Sequence, residues 1–351
     1  MRIGIVTFHR VVNAGGFLQA YALQQFLRNA GHDAMIANHI DRGVLKQEMK
    51  SAIHRAKGFK RFAELLPIWR YRQLQQKHFH LSPPIKDPAS YDWSYFDVVV
   101  FGSDELWNYE NFFYGLKPFF FGHGIEGPRK VSYAPSFGEI KPTDKLPEQV
   151  VSGIKSLDAV AVRDHNSVEV VKTQTGITPE LVLDPTLIYD FEGDVVADNA
   201  RDDALIVYAT SVSEPHREQL RAFAKDKGLR LVSLGTRQWW CDEGYDKISP
   251  FEVLGWFSKA PYVFTNTFHG TIFATKFGAT SCINIGHGKA NKILSLSRTL
   301  GLENRILKPG ESCADIFERP VASQAIQERL ADSIAASRNY LLTQCAAARE
   351  K

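Results

Sequence analysis

Residues 3–8 form an apolar run too short for a helix but long enough for a buried strand, and the run opens into a polar turn through Asn13, Gly15 and Gly16. Apolar residues then recur at Leu18, Tyr21, Ala22, Phe26 and Leu27, near the 3.6-residue period of one helical face. Gly31 supplies the left-handed conformation that ends such a helix. Strand, glycine turn and helix, continued by a second apolar run at 34–37, are the opening of a doubly wound α/β sheet.

The same grammar repeats. Residues 97–101 run directly into Gly102-Ser103-Asp104-Glu105-Leu106-Trp107-Asn108, and 130–134 end in Pro135-Ser136-Phe137-Gly138. After helical spacing at 146–157, the run 159–162 leads to Arg163-Asp164, and 181–183 end in Asp184-Pro185-Thr186. Four strands of this half finish in polar residues, the arrangement of a shared active edge, because open α/β sheets bind ligands at the carboxyl ends of their strands. The stretch 190–203 is acidic and poor in large apolar residues, which marks a domain boundary. A second α/β series follows: strands at 204–209, 229–234, 262–265 and 281–285, and helices after Ser213 and at 250–258, 271–277 and 289–300.

A chain of 351 residues exceeds one comfortable hydrophobic core and fits two domains of ~150–180 residues each. The expected organisation is a Rossmann-like domain at 1–190, a second at 200–315, and a C-terminal helix at 320–351. That helix either crosses back to the first domain or forms a homo-oligomer contact.

Charge and cysteine content narrow the class. Lys and Arg number 42 against 39 Asp and Glu, a formal charge of +3, so no large uniform field points to a polyanionic partner, and no nucleic acid is expected. The basic, aromatic stretch 46–80, with Trp69, Tyr71 and Phe79, reads as a helical excursion or a flap that permits peripheral membrane contact. Cys241, Cys282, Cys313 and Cys345 lack paired ligand spacing, which argues against disulfides and thiolate metal sites and for a reducing, cytoplasmic setting. No segment approaches the roughly 20 apolar residues that span a bilayer.

His269 is the most informative single residue, lying between a strand end and a helix start, with Gly270 permitting close backbone approach. It either donates to an anion, moves a proton, or caps the turn structurally. His123 and His287 also sit near glycines, in weaker context. Arg163 offers a planar fork suited to phosphate or carboxylate, or is absorbed by Asp164 as a structural salt bridge. Asp104 and Glu105 are acid, base or sugar-hydroxyl acceptors, or merely cap the next helix. Arg237 joins a cation to the aromatic surface of Trp239 and Trp240. His9, Asn13, Gly15, Gly16, Gln19, Trp107 and Asn108 are expected to complete the polar edge on the acceptor side. No dinucleotide fingerprint, phosphate loop, His-x-x-x-His pair or Gly-x-Ser-x-Gly elbow is present. No dedicated metal site is expected, although scattered carboxylates can recruit Mg²⁺ beside a phosphate ligand.

Four stretches carry a family likeness: residues 3–9 through Asn13-Ala14-Gly15-Gly16 to 18–23; 102–108; Ala161-Val162-Arg163-Asp164; and Ser249-Pro250-Phe251-Glu252 with 265–274. In this order they make the chain resemble the polysaccharide pyruvyl transferase family over nearly its whole length. The resemblance implies two Rossmann-like domains facing across a cleft, as in GT-B glycosyltransferases. It also implies pyruvyl transfer from phosphoenolpyruvate to saccharide hydroxyls, forming a ketal and releasing phosphate, in exopolysaccharide biosynthesis. The acceptor is a saccharide or lipid-linked oligosaccharide, and no cofactor is required. By the same resemblance, His269 and Arg163 are associated with the donor; in the mechanism that follows, Arg163 clamps phosphate or carboxylate, His269 acts as general acid or donates to phosphate, and Asp104 or Glu105 takes the acceptor proton. Some branches carry an arginine where this chain has Thr267, so either Arg237 or Arg305 supplies the missing cation or the donor differs. The alternatives are a GT-B-like glycosyltransferase using a nucleotide-sugar donor and a non-catalytic saccharide-binding or scaffold protein.

Overall fold

A computed structural model describes residues 1–54, 65–286, 290–320 and 323–349. Outside the described residues lie 55–64 of the basic aromatic stretch, His287, and the expected start of the terminal helix at 322. The chain divides into two compact units. The first comprises Met1–Val12, Gly16–Tyr189 and Ile334–Lys351; the second comprises Asn13–Gly15 and Asp190–Ser333.

The first unit is built on β1 (Arg2–Val6), β2 (Asp33–Ile36), β3 (Val98–Phe101) and β4 (Arg129–Ser132), all parallel in the order β2-β1-β3-β4. Ile3 lies opposite Ala34 on one side and Val98 on the other. Helices cover both faces, so β3 is uninterrupted apolar sequence with every residue buried. β5 (Ala161–Val162) and β6 (Glu180–Leu181) pair in parallel, and a bridge between Val131 and Ala159 links β5 to β4. The helices are α1 (Ala14–Asn29), α2 (Arg42–His54), α3 (Leu66–His78), α4 (Glu148–Lys155), α5 (His165–Thr175) and α6 (Pro185–Ile188). The basic stretch therefore contributes α2 and α3 in its described parts.

Asp164 caps α5 through Ser167 N–H at 2.8 Å, and Gly176 ends that helix at φ 79°. Tyr340 donates to the Ser132 carbonyl at 3.1 Å, Ser337 accepts from Leu183 N–H at 2.9 Å, and Arg338 donates to the Ile188 carbonyl at 2.8 Å. The chain end thus fastens the β4 to β6 side of its unit. Trp107, expected at the acceptor edge, is instead fully buried: its indole donates to the Phe120 carbonyl at 3.0 Å, and its ring packs on Phe121 and Phe137. An indole surrounded by apolar rings is core, which corrects that assignment.

The second unit has five parallel strands, β7 (Ala204–Tyr208), β8 (Arg230–Leu234), β9 (Glu243–Tyr245), β10 (Tyr262–Thr265) and β11 (Thr280–Ile283), in the order β11-β10-β7-β8-β9. Counted from β7, this is the 5-4-1-2-3 order of a doubly wound sheet, whose direction of growth reverses between β7 and β10. Its helices are α7 (Glu214–Asp226), α8 (Pro250–Lys259), α9 (Phe268–Lys276), α10 (Ala290–Leu300) and α11 (Cys313–Glu318), followed by α12 (Ser323–Ala346), whose residues from Ile334 on belong to the first unit. Ser249 and Glu252 form a reciprocal capping box on α8.

Arg305 does not stand where a donor can use it. Its side chain is fully buried, and it donates to the carbonyls of Ile316 (2.8 Å), Arg319 (2.7 Å) and Pro320 (3.0 Å) at the end of α11. A cation at a helix carboxyl end satisfies carbonyls that have no partner within the helix. Arg305→Ala is expected to lower the unfolding free energy by about 3 kcal/mol, because buried carbonyls lose their donors. Urea titration checks this, and an unchanged midpoint and slope would refute the structural role.

Candidate functional site

The first unit gathers its polar residues at the carboxyl ends of β1 and β3, between which its strand order changes direction. Gln19, projecting from α1, fastens these ends together. Its amide donates to the Gly16 carbonyl at 2.9 Å and to Thr7 Oγ1 at 3.2 Å, while its carbonyl oxygen accepts from Ser103. Asp104 follows with φ 62°, a left-handed conformation that Asp tolerates better than most residues. Gly102, at φ 129°, admits no side chain, since a Cβ there would overlap the Tyr133 carbonyl.

Arg163 is buried at the end of β5 and spends its fork on two carboxylates: Asp184 Oδ2 at 2.9 Å and Asp104 Oδ1 at 3.2 Å. Asp184 in turn caps α6, accepting from Thr186 N–H at 3.0 Å and Thr186 Oγ1 at 2.7 Å. Burial alone disfavours the guanidinium charge, but Asp104 and then Asp184 outweigh it and raise the pKa above the ordinary arginine value. The expected salt bridge to Asp164 does not form; Asp164 caps α5 instead. Glu105 accepts from Asn108 Nδ2 at 3.1 Å and lies against Gly138. The structure therefore groups Asp104 with Arg163 and Asp184, and Glu105 with Asn108.

His9 is buried beyond β1, with Nδ1 3.3 Å from the Thr7 carbonyl. Burial, then the neighbouring Arg10 cation, lowers its pKa to about 3, so the ring is neutral at pH 7. In the tautomer that donates from Nδ1 to Thr7, Nε2 is an acceptor, and it has no hydrogen-bond partner among the described residues.

His9 also lines a cavity of about 410 Å³ with Arg10, Trp69, Arg72 and Gln75. Arg72 pairs with Glu48 at 2.8 Å and donates to Gln75 Oε1 at 3.0 Å. Gln75 donates to the Val11 carbonyl at 3.1 Å. Burial lowers the pKa of Arg10, and Arg72 adds to the effect. Sequence reasoning missed Arg10, Glu48, Arg72 and Gln75. The excess of cations, amides and aromatics at 46–80 was the available signal.

In the second unit the crevice lies between the ends of β7 and β10. Asn266 spans it, accepting from Thr210 N–H at 3.0 Å and donating to the Ser211 carbonyl at 2.9 Å. Thr265 Oγ1 donates to the Tyr208 carbonyl at 2.7 Å and accepts from Thr267 N–H at 3.0 Å. Thr267, in the position where some family branches carry arginine, is the N-cap of α9 and accepts from Gly270 N–H at 3.0 Å. Gly270 is required by packing, because a Cβ would collide with Thr265, Thr267 and Tyr208. His269, half-buried in the first turn of α9, lies beside Gly15 of the same unit, where a Cβ would overlap the imidazole. Asn13, in the same short segment, is exposed. Arg237 is exposed, with its stem against Gly244. Among the described residues, no three His, Cys, Asp or Glu side chains are placed to hold a metal ion.

The His9 pKa fixes a pH effect. The folded state keeps His9 neutral down to about pH 3, whereas the unfolded chain takes up a proton below about pH 6.5. Stability from this group is thus complete above pH 6.5 and falls as the pH drops toward 3. At pH 5 the loss is about 2 kcal/mol. Between pH 7 and 5, His9→Gln is expected to lose less stability than the parent chain in chemical denaturation, and parallel pH profiles would contradict the assignment.

A family model for polysaccharide pyruvyl transferases matches residues 13–285. No curated protein matches the chain. Solved structures share its fold at low identity. The UDP-GlcNAc 2-epimerase of Neisseria meningitidis bound to UDP-GlcNAc aligns at TM-score 0.51 and 9% identity, over 99% of this chain and 100% of that one. A putative UDP-N-acetylglucosamine 2-epimerase from Listeria monocytogenes aligns at 0.48 and 10%, covering 97% and 94%. The E. coli ADP-heptose heptosyltransferase II aligns at 0.40 and 12%, covering 96% and 99%. The fold is the two-Rossmann-domain, GT-B-like architecture.

The Neisseria likeness corrects the expected donor. That structure is named for UDP-GlcNAc and holds it, not phosphoenolpyruvate, so the expectations of that donor and of a ketal-forming pyruvyl transferase are set aside. Of the cations the donor was expected to use, Arg163 pairs with two aspartates and Arg305 with backbone carbonyls, while Thr267 caps its own helix. By the match over residues 13–285, the chain nevertheless belongs to the polysaccharide pyruvyl transferase family.

Proposed function

We propose that this protein transfers a glycosyl unit from a nucleotide-sugar donor to a saccharide hydroxyl. The observation that carries the reading is the second unit's strand order, with its reversal between β7 and β10, and the polar lining of that crevice. Thr210, Asn266 and Thr267 present hydroxyl and amide groups there, and the start of α9 brings the positive end of a helix dipole. A diphosphate is suited to such neutral donors and dipole. The fold accommodates UDP-GlcNAc in the Neisseria epimerase. Fold alone does not fix chemistry, so the weight rests on the crevice.

In this reading His269 donates to a donor phosphate oxygen, offsetting charge that grows as the glycosyl bond to the leaving diphosphate breaks. Asp104 and Glu105, in the first unit, remain the candidates for receiving the acceptor proton. The acceptor is a saccharide, with a lipid-linked form included. No helix among the described residues is long and apolar enough to cross a membrane. A cytoplasmic setting fits four cysteines that are all free thiols.

UDP or ADP at 100 times its Kd is expected to stabilise the folded chain by about 2.7 kcal/mol, read as a rise in Tm. Thr267→Val and His269→Ala are expected to weaken nucleotide binding about 10- to 100-fold, the loss of one hydrogen bond to a charged group. The reading fails if neither nucleotide raises Tm and no nucleoside diphosphate is released from nucleotide sugars mixed with saccharide acceptors.

A further inference from the structure

We propose that the 410 Å³ cavity of the first unit is the acceptor subsite and that it takes a sugar bearing an anionic group, a carboxylate or a phosphate. The proposal names the substrate class within the glycosyl-transfer reading and rests on it.

The charge count comes first. Arg10 and Arg72 both line the cavity, and Glu48, ion-paired to Arg72, is the carboxylate both of them feel among the described residues. Among the described residues, two cations against one anion leave one positive charge over. The two guanidiniums also repel one another: burial is the largest influence lowering the charge preference of Arg10, and Arg72 is the next. Partly buried like charges are relieved by a bound anion, and a guanidinium fork matches the spacing of carboxylate and phosphate oxygens.

The second observation points to a hydroxyl beside that anion. His9 is buried in the cavity wall, neutral, and its Nε2 has no hydrogen-bond partner among the described residues. An unmatched buried acceptor is costly, and a ligand O–H supplies the donor it lacks. Trp69, 61% exposed at the wall, offers an indole face on which the C–H side of a sugar ring can lie. Gln75 is held in place by Arg72 and the Val11 carbonyl, which keeps that side of the cavity preformed. A positive fork, a lone-pair acceptor and an aromatic face select a polyhydroxylated ring with one negative substituent. The volume lies within the ordinary range for small-molecule sites.

The test uses the full chain without a nucleotide sugar, so its outcome is independent of whether the second unit binds a nucleotide. Calorimetric titration compares D-glucuronate, α-D-glucose 1-phosphate, D-glucose and inorganic phosphate. Saturable binding of either anionic sugar is expected, at least tenfold tighter than D-glucose; whichever anionic sugar binds better identifies the carboxylate or the phosphate source. Arg10→Gln and Arg72→Gln are expected to weaken that binding at least tenfold. Trp69→Ala, at an exposed position that leaves the ion pairs intact, is expected to weaken it with an unchanged Tm, which separates ligand loss from misfolding. The proposal is overturned if D-glucose binds as tightly as the anionic sugars, if neither anionic sugar binds, if inorganic phosphate matches glucose 1-phosphate, or if Trp69→Ala and both arginine variants bind like the parent.

Discussion

A parallel strand covered on both faces has room for polar side chains only at its ends, and this constraint organises both units of the protein. β3 is buried along its whole length, and its chain turns polar at once in Ser103, Asp104 and Glu105. β10 does the same with Thr265, Asn266 and Thr267. Because the strands of each sheet run the same way, these ends line up on one edge, and reversal of strand order opens a gap in the helices that would otherwise cover it. Chemistry collects where the fold cannot bury.

At the edge of the first unit, the buried cation Arg163 decides what the neighbouring groups can do. It joins residues after β3, β5 and β6 through Asp104 and Asp184, and Asp184 also starts α6. Deleting one member of such a buried cluster leaves a charge without compensation, typically a loss of about 3–5 kcal/mol. The same geometry commits one N–H on each terminal nitrogen of Arg163 to a carboxylate, where the family resemblance implied donor binding.

Much of the fold was legible because it is local. Apolar runs of strand length, and Gly31 as a helix end, are each written within a few residues. β9 was not: Glu243-Gly244-Tyr245 has no apolar run and is a strand only because it adds to the exposed edge of β8. The site was legible by position rather than by role. Asp104 and Arg163 follow strand ends and His269 opens α9, whereas Trp107 went into the core, and whether Arg163 would meet carboxylates depended on aspartates 59 and 21 residues away. Arg305 was misread for the same reason, since its carbonyl partners belong to a helix end that the sequence does not mark as needing a cation. The His9, Arg10 and Arg72 cavity joins distant segments, and composition at 46–80 gave only a hint of it.

Thr267 shows how one substitution can change a site without disturbing its frame. An arginine at a helix N-cap brings positive charge but no acceptor for the first-turn amides, and it needs space and counter-charge of its own. Threonine caps α9 through Gly270 N–H and is itself held by Thr265, whose hydroxyl is fixed to the Tyr208 carbonyl. The chain of hydroxyls therefore sets the start of the helix, and Gly270 keeps it compact by having no Cβ. At the start of α9 the second unit offers a ligand neutral hydrogen-bonding groups and a helix dipole, while in the first unit Arg10 and Arg72 share one described carboxylate, Glu48.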